Sequence, residues 1–278
     1  MSKNKLVSPV LKWVGGKRQL LPSIRPMLPQ RITTYCEPFV GGGAVLFDLQ
    51  PKKAIVNDIN SDLMLVYSVI KDNVEDLIEL LNTYPNEEEF FYIIRNIDRD
   101  QEKYEKLSEI EKAARVIFLN KTCYNGLYRV NNAGEFNSPF GKYKNPNIVN
   151  APVLRAVSTY FNSSEIVFCS TDFSNVLEKV RKGTFVYLDP PYDPVSDTAS
   201  FTGYSKGGFS KEQQIQLREC CDSLNARGIK FMLSNSATDF IKKQYANYHV
   251  TLVQAKRAIN SVASKRGDVD EVIITNYE

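Results

Sequence analysis

A short apolar run that ends in an acid and two prolines constrains this chain more than any other feature. Residues 185–192 read Phe-Val-Tyr-Leu-Asp-Pro-Pro-Tyr. An unbroken apolar run of this kind is typical of a strand that is buried on both faces, as in a parallel sheet. Because each proline fixes φ and lacks an N–H, no helix can begin at once and consume the preceding carbonyls. The pattern therefore predicts a rigid strand that delivers Asp189 to a fixed turn.

The turn after this strand offers a carboxylate, two main-chain carbonyls and an aromatic ring within four residues. The carboxylate and a carbonyl can accept both N–H groups of an exocyclic amine, while the tyrosine stacks on the ring that carries the amine. A proline-rich turn without a function is the alternative. The aromatic residue favours a site for a planar base, and we predict a catalytic motif of Asp189, Pro190, Pro191 and Tyr192.

Composition excludes several classes of chemistry. The chain of 278 residues has a net charge of only +3, so overall charge does not indicate a nucleic-acid partner. The chain has one histidine, His249, and its strand-like run favours packing over metal binding. With no other histidine present, zinc catalysis and histidine-based triads are excluded. Five cysteines without C-x-x-C spacing fit reduced, buried thiols. No apolar run approaches about 20 residues and no signal peptide is evident, so we expect a cytoplasmic protein without a membrane span. We also expect no metal, because the chain has one histidine and no C-x-x-C spacing.

A glycine turn near the N-terminus predicts a nucleotide-like ligand. Residues 35–43 read Tyr-Cys-Glu-Pro-Phe-Val-Gly-Gly-Gly and lead into a helical run over 44–49, an arrangement that brings backbone N–H groups against a ligand. The dinucleotide fingerprint is incomplete, because Leu46 stands where its third glycine should be. A second short strand, 54–56, ends before Asp58, which is placed to bind a ribose hydroxyl pair or, alternatively, to cap the next helix.

Two further segments could line the same site. The loop that contains Trp13 and Lys17 carries glycines beside an indole and a charge, although the pattern alone favours a surface loop. Asp172 follows a predicted strand over 165–169, where it could contact a bound nucleoside or cap the helix predicted over 175–180. Both interpretations of Asp172 stay open.

Residues 62–146 interrupt the alternation of strands and helices. Helical periodicity predicts helices over 63–70, 74–81, 88–97 and 107–119, with the charge run 98–106 as a solvated link. Segments 124–130 and 136–140 then flank turn-forming residues, which predicts a β-hairpin. Basic and aromatic side chains alternate on it, and a two-stranded ribbon fits the DNA major groove. A purely structural hairpin is the alternative.

The remaining chain returns to alternating strands and helices. Residues 193–208 are rich in Ser, Thr and Gly and predict a mobile loop able to close over a site. The last two strand-like runs, 248–253 and 271–275, have no helix between them and should pair antiparallel. We therefore predict an α/β fold with a doubly wound, mainly parallel sheet and an antiparallel hairpin at its edge, its ligands bound at the carboxyl ends of the strands.

Taken together, the motifs resemble those of the Dam-type (alpha-group) DNA adenine-N6 methyltransferases. The matching segments are 12–17 (KWVGGK), 37–43 (EPFVGGG), 57–60 (NDIN), 124–127 (YNGL) with Arg129, 134–137 (GEFN), 139–144 (PFGKYK) and 189–192 (DPPY). The resemblance implies a seven-stranded methyltransferase sheet of class I, formed by residues 1–61 and 147–278. It also implies that residues 62–146 are an inserted target-recognition subdomain.

The resemblance also implies a reaction and a set of roles. The methyl donor would be S-adenosyl-L-methionine, with S-adenosyl-L-homocysteine as product, and the acceptor N6 of an adenine flipped out of double-stranded DNA, within GATC. The cofactor would be held by Trp13, Lys17, Phe39, Gly41, Gly43, Asp58, Asp172 and Asp189. Bases would be read by Lys12, Leu127, Arg129 and Pro139, the flipped-out site organised by Tyr124 and Asn125, and phosphates held by Lys142 and Lys144. We expect a monomer, and both a restriction–modification role and an independent or viral one stay open.

Three other classes of protein share some of these features. A cytosine-N4, RNA or protein-amide methyltransferase commonly has Ser or Asn where Asp189 stands. A nicotinamide-dependent oxidoreductase is disfavoured by the missing third glycine and by the motif at 189–192. A non-catalytic DNA-binding protein would leave the acid-lined crevice without a purpose.

Overall fold

The computed structural model describes residues 3–13, 15–131, 133–195, 209–256 and 268–278, and within them one seven-stranded sheet dominates. Its strands are β1 (Thr34–Glu37), β2 (Lys53–Asn57), β3 (Glu165–Cys169), β4 (Thr184–Leu188), β5 (Lys230–Ser236), β6 (His249–Lys256) and β7 (Asp268–Thr275). The spatial order is β3-β2-β1-β4-β5-β7-β6. Strands β1 to β5 run parallel, and β7 is antiparallel to both β5 and β6. The predicted α/β fold class is confirmed.

The placement of the last strand differs from the expected terminal hairpin. The two final strands do pair antiparallel, but β7 enters between β5 and β6 instead of extending the sheet at its edge. Each edge of β7 is therefore covered by a neighbour. His249 begins the edge strand β6 and is exposed, so the expectation that it packs in the interior is wrong.

Two apolar cores lie on the two faces of the sheet. Successive side chains of a strand point to opposite faces, and β4 divides accordingly. Phe185 and Tyr187 join one core, with α2, α3 and α8, whereas Val186 and Leu188 join the other, with α9, α10 and α11. The helices are α1 (Leu21–Met27), α2 (Ala44–Leu49), α3 (Ser61–Asp72), α4 (Val74–Asn82), α5 (Glu88–Asn96), α6 (Gln101–Lys106), α7 (Glu109–Thr122), α8 (Ala151–Asn162), α9 (Phe173–Lys179), α10 (Lys211–Ala226) and α11 (Asp239–Gln244).

The charge run 98–106 is not only a solvated link, as the sequence had indicated. Residues 101–106 form the exposed helix α6, but Asp98 before it is a packed anchor. Its Oδ2 lies 2.6 Å from Nη2 of Arg115, a residue buried on α7, and accepts the backbone N–H of Phe136 at 2.7 Å. Asp98 thus joins the helical insertion to the segment that follows it.

The predicted hairpin doubles back as expected but does not form a continuous two-stranded ribbon. Isolated antiparallel bridges join Val130 to Phe136 and Cys123 to Phe140. A short 3-10 turn over Tyr124–Gly126 interrupts the first arm, because Asn125 and Gly126 have φ of 58° and 64°. Left-handed backbone of this kind cannot continue a strand. We call residues 122–144 the hairpin segment.

Several expectations fall wholly or partly outside the described residues. The predicted mobile loop 193–208 is described only up to 195, and the tip of the hairpin segment lacks 132. The segment 257–267, between β6 and β7, is also outside the described residues. All five cysteines are free thiols; Cys36, Cys123 and Cys221 are buried and the other two partly exposed. No helix of the described residues is long and apolar enough to cross a membrane.

Candidate active site

A cleft of about 1180 Å³ lies where β1, β2, β3 and β4 end. The strand order reverses on the two sides of β1, so helices leave in opposite directions and open a crevice at this position. Predicted site residues that line the cleft are Lys12, Trp13, Lys17, Phe39, Gly41, Asp58, Asn125, Asp172, Asp189, Pro190, Pro191 and Tyr192. Those that do not line it are Gly43, Tyr124, Leu127, Arg129, Pro139, Lys142 and Lys144.

The turn between β1 and α2 is tied to the end of β2. The N–H of Gly41 donates to Oδ2 of Asp58 at 3.0 Å, and Oδ1 of Asp58 accepts the N–H of Asn60 at 3.0 Å. The cap of α3 is Asn60, which accepts the N–H of Leu63, so the alternative that Asp58 caps this helix is wrong. Burial raises the pKa of Asp58, while the two backbone N–H groups oppose that rise. The carboxylate is thus held at the cleft wall.

Trp13 closes over the glycine turn. A Cβ atom on Gly41 would lie 2.9 Å from Cδ1 of Trp13, and one on Gly42 would lie 3.0 Å from its Cβ. Only glycine therefore allows the indole to pack this closely. Trp13 also stacks on Tyr128, with ring centroids 5.1 Å apart. Gly43 instead faces Phe47 and Tyr67 inside the core, and its contact with a ligand stays a prediction.

The loop after β3 is fixed by Asn57. Its Nδ2 donates to the carbonyls of Pro38 and Thr171, and its Oδ1 accepts the N–H of Thr171. Asp172 follows and caps α9 by accepting the N–H of Ser174 at 2.9 Å. The capping interpretation of Asp172 is confirmed, and its Oδ1 makes the cap while the residue still lines the cleft.

Asp189 lies at the end of β4 with a cation against it. Its Oδ1 is 2.7 Å from Nζ of Lys17 and accepts the hydroxyl of Ser234 at 3.0 Å. The Lys17 ammonium also donates to the carbonyl of Gly15 and lies 4.4 Å from the centroid of the Tyr192 ring. Burial raises the pKa of Asp189, whereas Lys17 and Ser234 pull it down. Lys17, predicted to contact a cofactor, thus lies at the catalytic motif in this structure.

Hydrogen bonds from outside the motif hold its proline turn. Gln214 donates from Nε2 to the carbonyl of Pro191 at 2.9 Å, and the N–H of Asp193 donates to Oδ1 of Asn235 at 3.0 Å. No described residue donates to the Pro190 carbonyl, in agreement with the expectation that prolines leave it available to a ligand. The hydroxyl of Tyr192 donates to Oε2 of Glu271 at 3.0 Å.

Three polar residues around the motif were not assigned from the sequence. Ser234 bonds both Asp189 and the hydroxyl of Tyr187, Glu37 is buried against the Tyr35 hydroxyl, and Glu271 lines the cleft from β7. Burial raises the pKa of Glu37 well above its usual value. The available signal was the same for all three, a polar residue at or next to the end of an apolar, strand-like run.

The hairpin segment is attached beside the cleft through Asn120. This buried side chain accepts the N–H of Lys12 and donates to the carbonyls of Lys12 and Gly126. The predicted DNA-contacting residues Tyr124, Asn125, Pro139, Lys142 and Lys144 are all exposed on the segment. Arg129 is partly exposed and donates from Nε to Oδ1 of Asn137 at 2.8 Å.

A group of cations marks the junction of the cleft and the hairpin segment. Lys12, Arg18 and Lys121 line the cleft together. Burial first, and then the charges of Lys12 and Arg18, lower the pKa of Lys121 to about 8. Such a group is electrostatically costly until an anion joins it. In the described part of the chain, no group of His, Cys, Asp and Glu is arranged to hold a metal ion.

Comparison with known proteins identifies similar sequences along the whole chain. The sequence model of the family described as D12 class N6 adenine-specific DNA methyltransferase matches residues 13–259. The Type II methyltransferase M1.LlaDCHI of Lactococcus lactis subsp. cremoris is 43% identical over 280 residues, which cover 100% of this chain and 98% of that protein.

Two further relatives are similar over nearly their full lengths. The Type II methyltransferase M.MjaIII of Methanocaldococcus jannaschii is 46% identical over 291 residues, 98% of this chain and 99% of that protein. The DNA adenine methylase of Escherichia coli is 34% identical over 268 residues, 95% of this chain and 93% of that protein.

Proposed function

Because the chain belongs to the family of D12 class N6 adenine-specific DNA methyltransferases, we propose that its cleft takes S-adenosyl-L-methionine and an adenine extruded from duplex DNA. The family assignment confirms the resemblance and the predicted enzyme class, an adenine-specific DNA methyltransferase. The observation that carries the proposal is the pairing of two arrangements in one cleft. A glycine turn with an acid lies at one end, and Asp189 with a proline-fixed turn at the other.

The glycine end fits a nucleoside-containing cofactor. Gly41 lines this end of the cleft with a φ of 47°, a left-handed conformation that glycine adopts without a steric cost. We assign the cofactor wall to Trp13 and Phe39 and the polar contacts to Asp58 and Asp172. When bound, S-adenosyl-L-methionine supplies an electrophilic methyl group. The residues of the chain then have to orient the two ligands and exclude water.

The Asp189 end fits an adenine with its amino group pointing at the acid. The amino nitrogen of adenine is a poor nucleophile because its lone pair is delocalised into the ring. A carboxylate and the Pro190 carbonyl, each accepting one N–H, favour a pyramidal nitrogen and stabilise the positive charge that develops on it. Groups fixed before the reaction are the effective ones, since they need no reorganisation. Ser234 and Lys17 hold Asp189 in this way.

The hairpin segment fits the role of the DNA-reading element. We assign base contacts to Lys12, Leu127, Arg129 and Pro139, the space left by the flipped base to Tyr124 and Asn125, and phosphate contacts to Lys142 and Lys144. GATC is the target that we propose. Residues 62–146 would then act as the recognition subdomain and the rest of the chain as the catalytic domain. The assignment of the hairpin segment is supported by its position beside the cleft and by the exposure of Tyr124, Asn125, Pro139, Lys142 and Lys144.

Analysis of the methylated base tests the proposed function directly. Double-stranded DNA is incubated with the protein and labelled S-adenosyl-L-methionine, and the released nucleosides are separated by mass spectrometry. We expect N6-methyladenine, and sequencing that detects modified bases should place it within GATC. Label on N4 of cytosine, or transfer in the absence of DNA, would contradict the proposal.

Asp189→Ala tests the catalytic assignment. Removal of a charge-stabilising acceptor should lower the rate of methyl transfer by about 10²–10³-fold or more, whereas DNA binding measured by fluorescence anisotropy should persist. The exposed acid Asp76 on α4 provides the control Asp76→Asn, which should keep the wild-type rate. Near wild-type turnover of Asp189→Ala would refute the role of this carboxylate.

A further inference from the structure

The last strand of the sheet reaches the motif at 189–192. Glu271 lies on β7 directly opposite Ser236 of β5, so the sheet and not a loop fixes its position. Its side chain is half-buried, lines the cleft, and accepts the hydroxyl proton of Tyr192 in a bond of 3.0 Å. From this contact we infer that Glu271 is a positioning residue, which orients the Tyr192 ring on which the extruded adenine stacks. The inference rests on the proposed function.

The orientation of the Tyr192 ring has to be fixed by a side-chain contact, because the backbone before it does not determine it. The two prolines before it fix the preceding backbone, but the ring can still turn about its own χ1 and χ2. Stacking on a base requires one ring plane, since aromatic contacts depend on geometry. A bond from the phenol hydroxyl at the far end of the side chain limits that rotation. The prolines therefore fix the backbone before Tyr192, and the bond to Glu271 fixes the orientation of its ring.

The Tyr192 phenol, which donates the proton in this bond, stays protonated at neutral pH. Burial and the nearby charges of Asp189 and Glu271 hold the pKa of the Tyr192 phenol well above its usual value. The phenol thus keeps its proton and donates to the carboxylate, and hydrogen bonds with an ionised partner are roughly twice as strong as neutral ones.

The second group that touches the Tyr192 ring cannot replace this anchor. Lys17, the first residue of a 3-10 turn, places its ammonium 4.4 Å from the ring centroid, and a cation–π contact of this kind does not bind the hydroxyl. It is also paired with Asp189, the group that has to bind the incoming amine. Glu271 instead binds the hydroxyl at the tip of Tyr192. A base that stacks on the ring face does not compete for this bond.

Substitutions of Glu271 separate a positioning role from a direct one. Glu271→Gln keeps an oxygen that accepts the Tyr192 proton but loses the charge, and Glu271→Ala loses both. Tyr192→Phe removes the donor and keeps the ring. We expect Glu271→Ala and Tyr192→Phe to lower kcat by a similar factor of about 10–100, with Glu271→Gln within about 3-fold of wild type. The KM for S-adenosyl-L-methionine should stay unchanged.

The double variant Glu271→Ala/Tyr192→Phe closes the cycle. If Glu271 acts through the Tyr192 hydroxyl, the double variant should be no slower than Tyr192→Phe alone. Asp270→Asn is the matched control, because Asp270 is the exposed neighbour whose side chain points to the other face of β7. Thermal melting of each variant verifies that the sheet is intact.

A fluorescent base reports the ring orientation itself. With 2-aminopurine in place of the target adenine, emission rises on extrusion and is quenched again by stacking. We expect Glu271→Ala to give brighter emission than wild type, and Glu271→Gln to match wild type. Equal kcat and emission for Glu271→Ala and wild type would overturn the inference. So would a loss in Glu271→Gln as large as that in Glu271→Ala, since the charge would then act directly on a ligand.

The same measurements show whether the role of Glu271 alone is wrong or the proposed function is wrong as well. If wild-type protein neither raises 2-aminopurine emission nor methylates adenine, the proposed function itself is wrong. If both occur and Asp189→Ala abolishes methylation, but Glu271→Ala behaves as wild type, only the role of Glu271 is wrong.

Discussion

Asp189 is under two opposing influences. Its burial disfavours the charged form and raises its pKa, whereas Lys17 and Ser234 stabilise the carboxylate. Ser234 is itself bonded to the hydroxyl of Tyr187, so a buried network fixes the acid from behind. A carboxylate prepared in this way can accept hydrogen bonds from an amine without rearranging.

Lys121 gives the cleft a dependence on pH. Its pKa is lowered to about 8, by burial first and then by the charges of Lys12 and Arg18. A DNA phosphate beside it would restore the charge, so binding takes up a proton and weakens as the pH rises above about 8. Between pH 7 and pH 9 we expect DNA affinity to fall about tenfold. Fluorescence anisotropy at constant salt measures this change.

Lys121→Arg is the control for that prediction. An arginine keeps its charge throughout this range, so affinity of the variant should be nearly constant from pH 7 to pH 9. An equal pH dependence in both proteins would assign the effect to a different group.

Individual site residues differed in how far sequence could predict them. Asp189 and Asp58 were found because acids at strand ends meet at one edge of a parallel sheet. The contact of Lys17 with Asp189 joins positions far apart in sequence, and no local pattern encodes it. Glu271 was missed for a related reason, since its partner is set by β7 entering between β5 and β6.

At the scale of elements, one aromatic contact links the hairpin segment to the glycine turn. Tyr128 of the segment stacks on Trp13, which packs on Gly41 and Gly42. Tyr128 also donates to Asp62 at the start of α3. The hairpin segment and the glycine turn therefore share a packed boundary instead of a flexible link.

Asp98 should be a main determinant of how the hairpin segment is held. Asp98→Ala leaves Arg115 buried without its carboxylate and Phe136 without its acceptor. Loss of one partner of a buried ion pair costs about 3–5 kcal/mol, and we expect a decrease of this size in the free energy of unfolding. Urea denaturation measures it. Glu102→Gln in the exposed α6 is the control and should leave the urea midpoint unchanged; an equal shift in both would contradict the anchoring role.

Regular elements were predicted better than the hairpin segment. Strand β3 and helix α2 have the predicted bounds, because their ends carry clear signals. The ribbon failed because the backbone at Asn125 and Gly126 turns left-handed, a conformation that an Asn-Gly pair favours. Lys12 also packs where a Cβ atom on Gly126 would lie. The charge run 98–106 was misjudged since Asp98 finds its partners on other elements.

At the scale of the whole molecule, a net charge of only +3 conceals an uneven surface. Lys142 and Lys144 are exposed on the hairpin segment, with Glu88 as a distant partner of Lys142 at 3.8 Å, whereas pairs such as Lys53–Glu165 and Lys106–Glu102 cancel locally at shorter distances. The helical insertion between β2 and β3 leads into the hairpin segment, whose Asn125 and Gly126 line the cleft. DNA binding should accordingly depend on this face and not on the total charge.

The salt dependence of DNA binding tests that view. Each phosphate contact contributes about −0.9 to the slope of log affinity against log salt concentration. Lys142→Ala/Lys144→Ala should therefore reduce the slope by about 2 and weaken binding to all sequences alike. Lys52→Ala/Lys182→Ala removes two exposed charges before β2 and β4, at the opposite end of the sheet, and should leave the slope unchanged. A smaller slope in the second variant would show that charge position is unimportant.

Strand β7 also sets the order in which a growing polypeptide can become active. On the ribosome, the glycine turn, the hairpin segment and Asp189 are all translated before residues 268–275. Until then β5 has an unpaired edge, which other chains or chaperones can bind. Because Glu271 arrives with β7, the nascent enzyme can display the hairpin segment, its proposed DNA-reading surface, before the cleft is complete. We expect it to begin to modify DNA only after that strand has emerged.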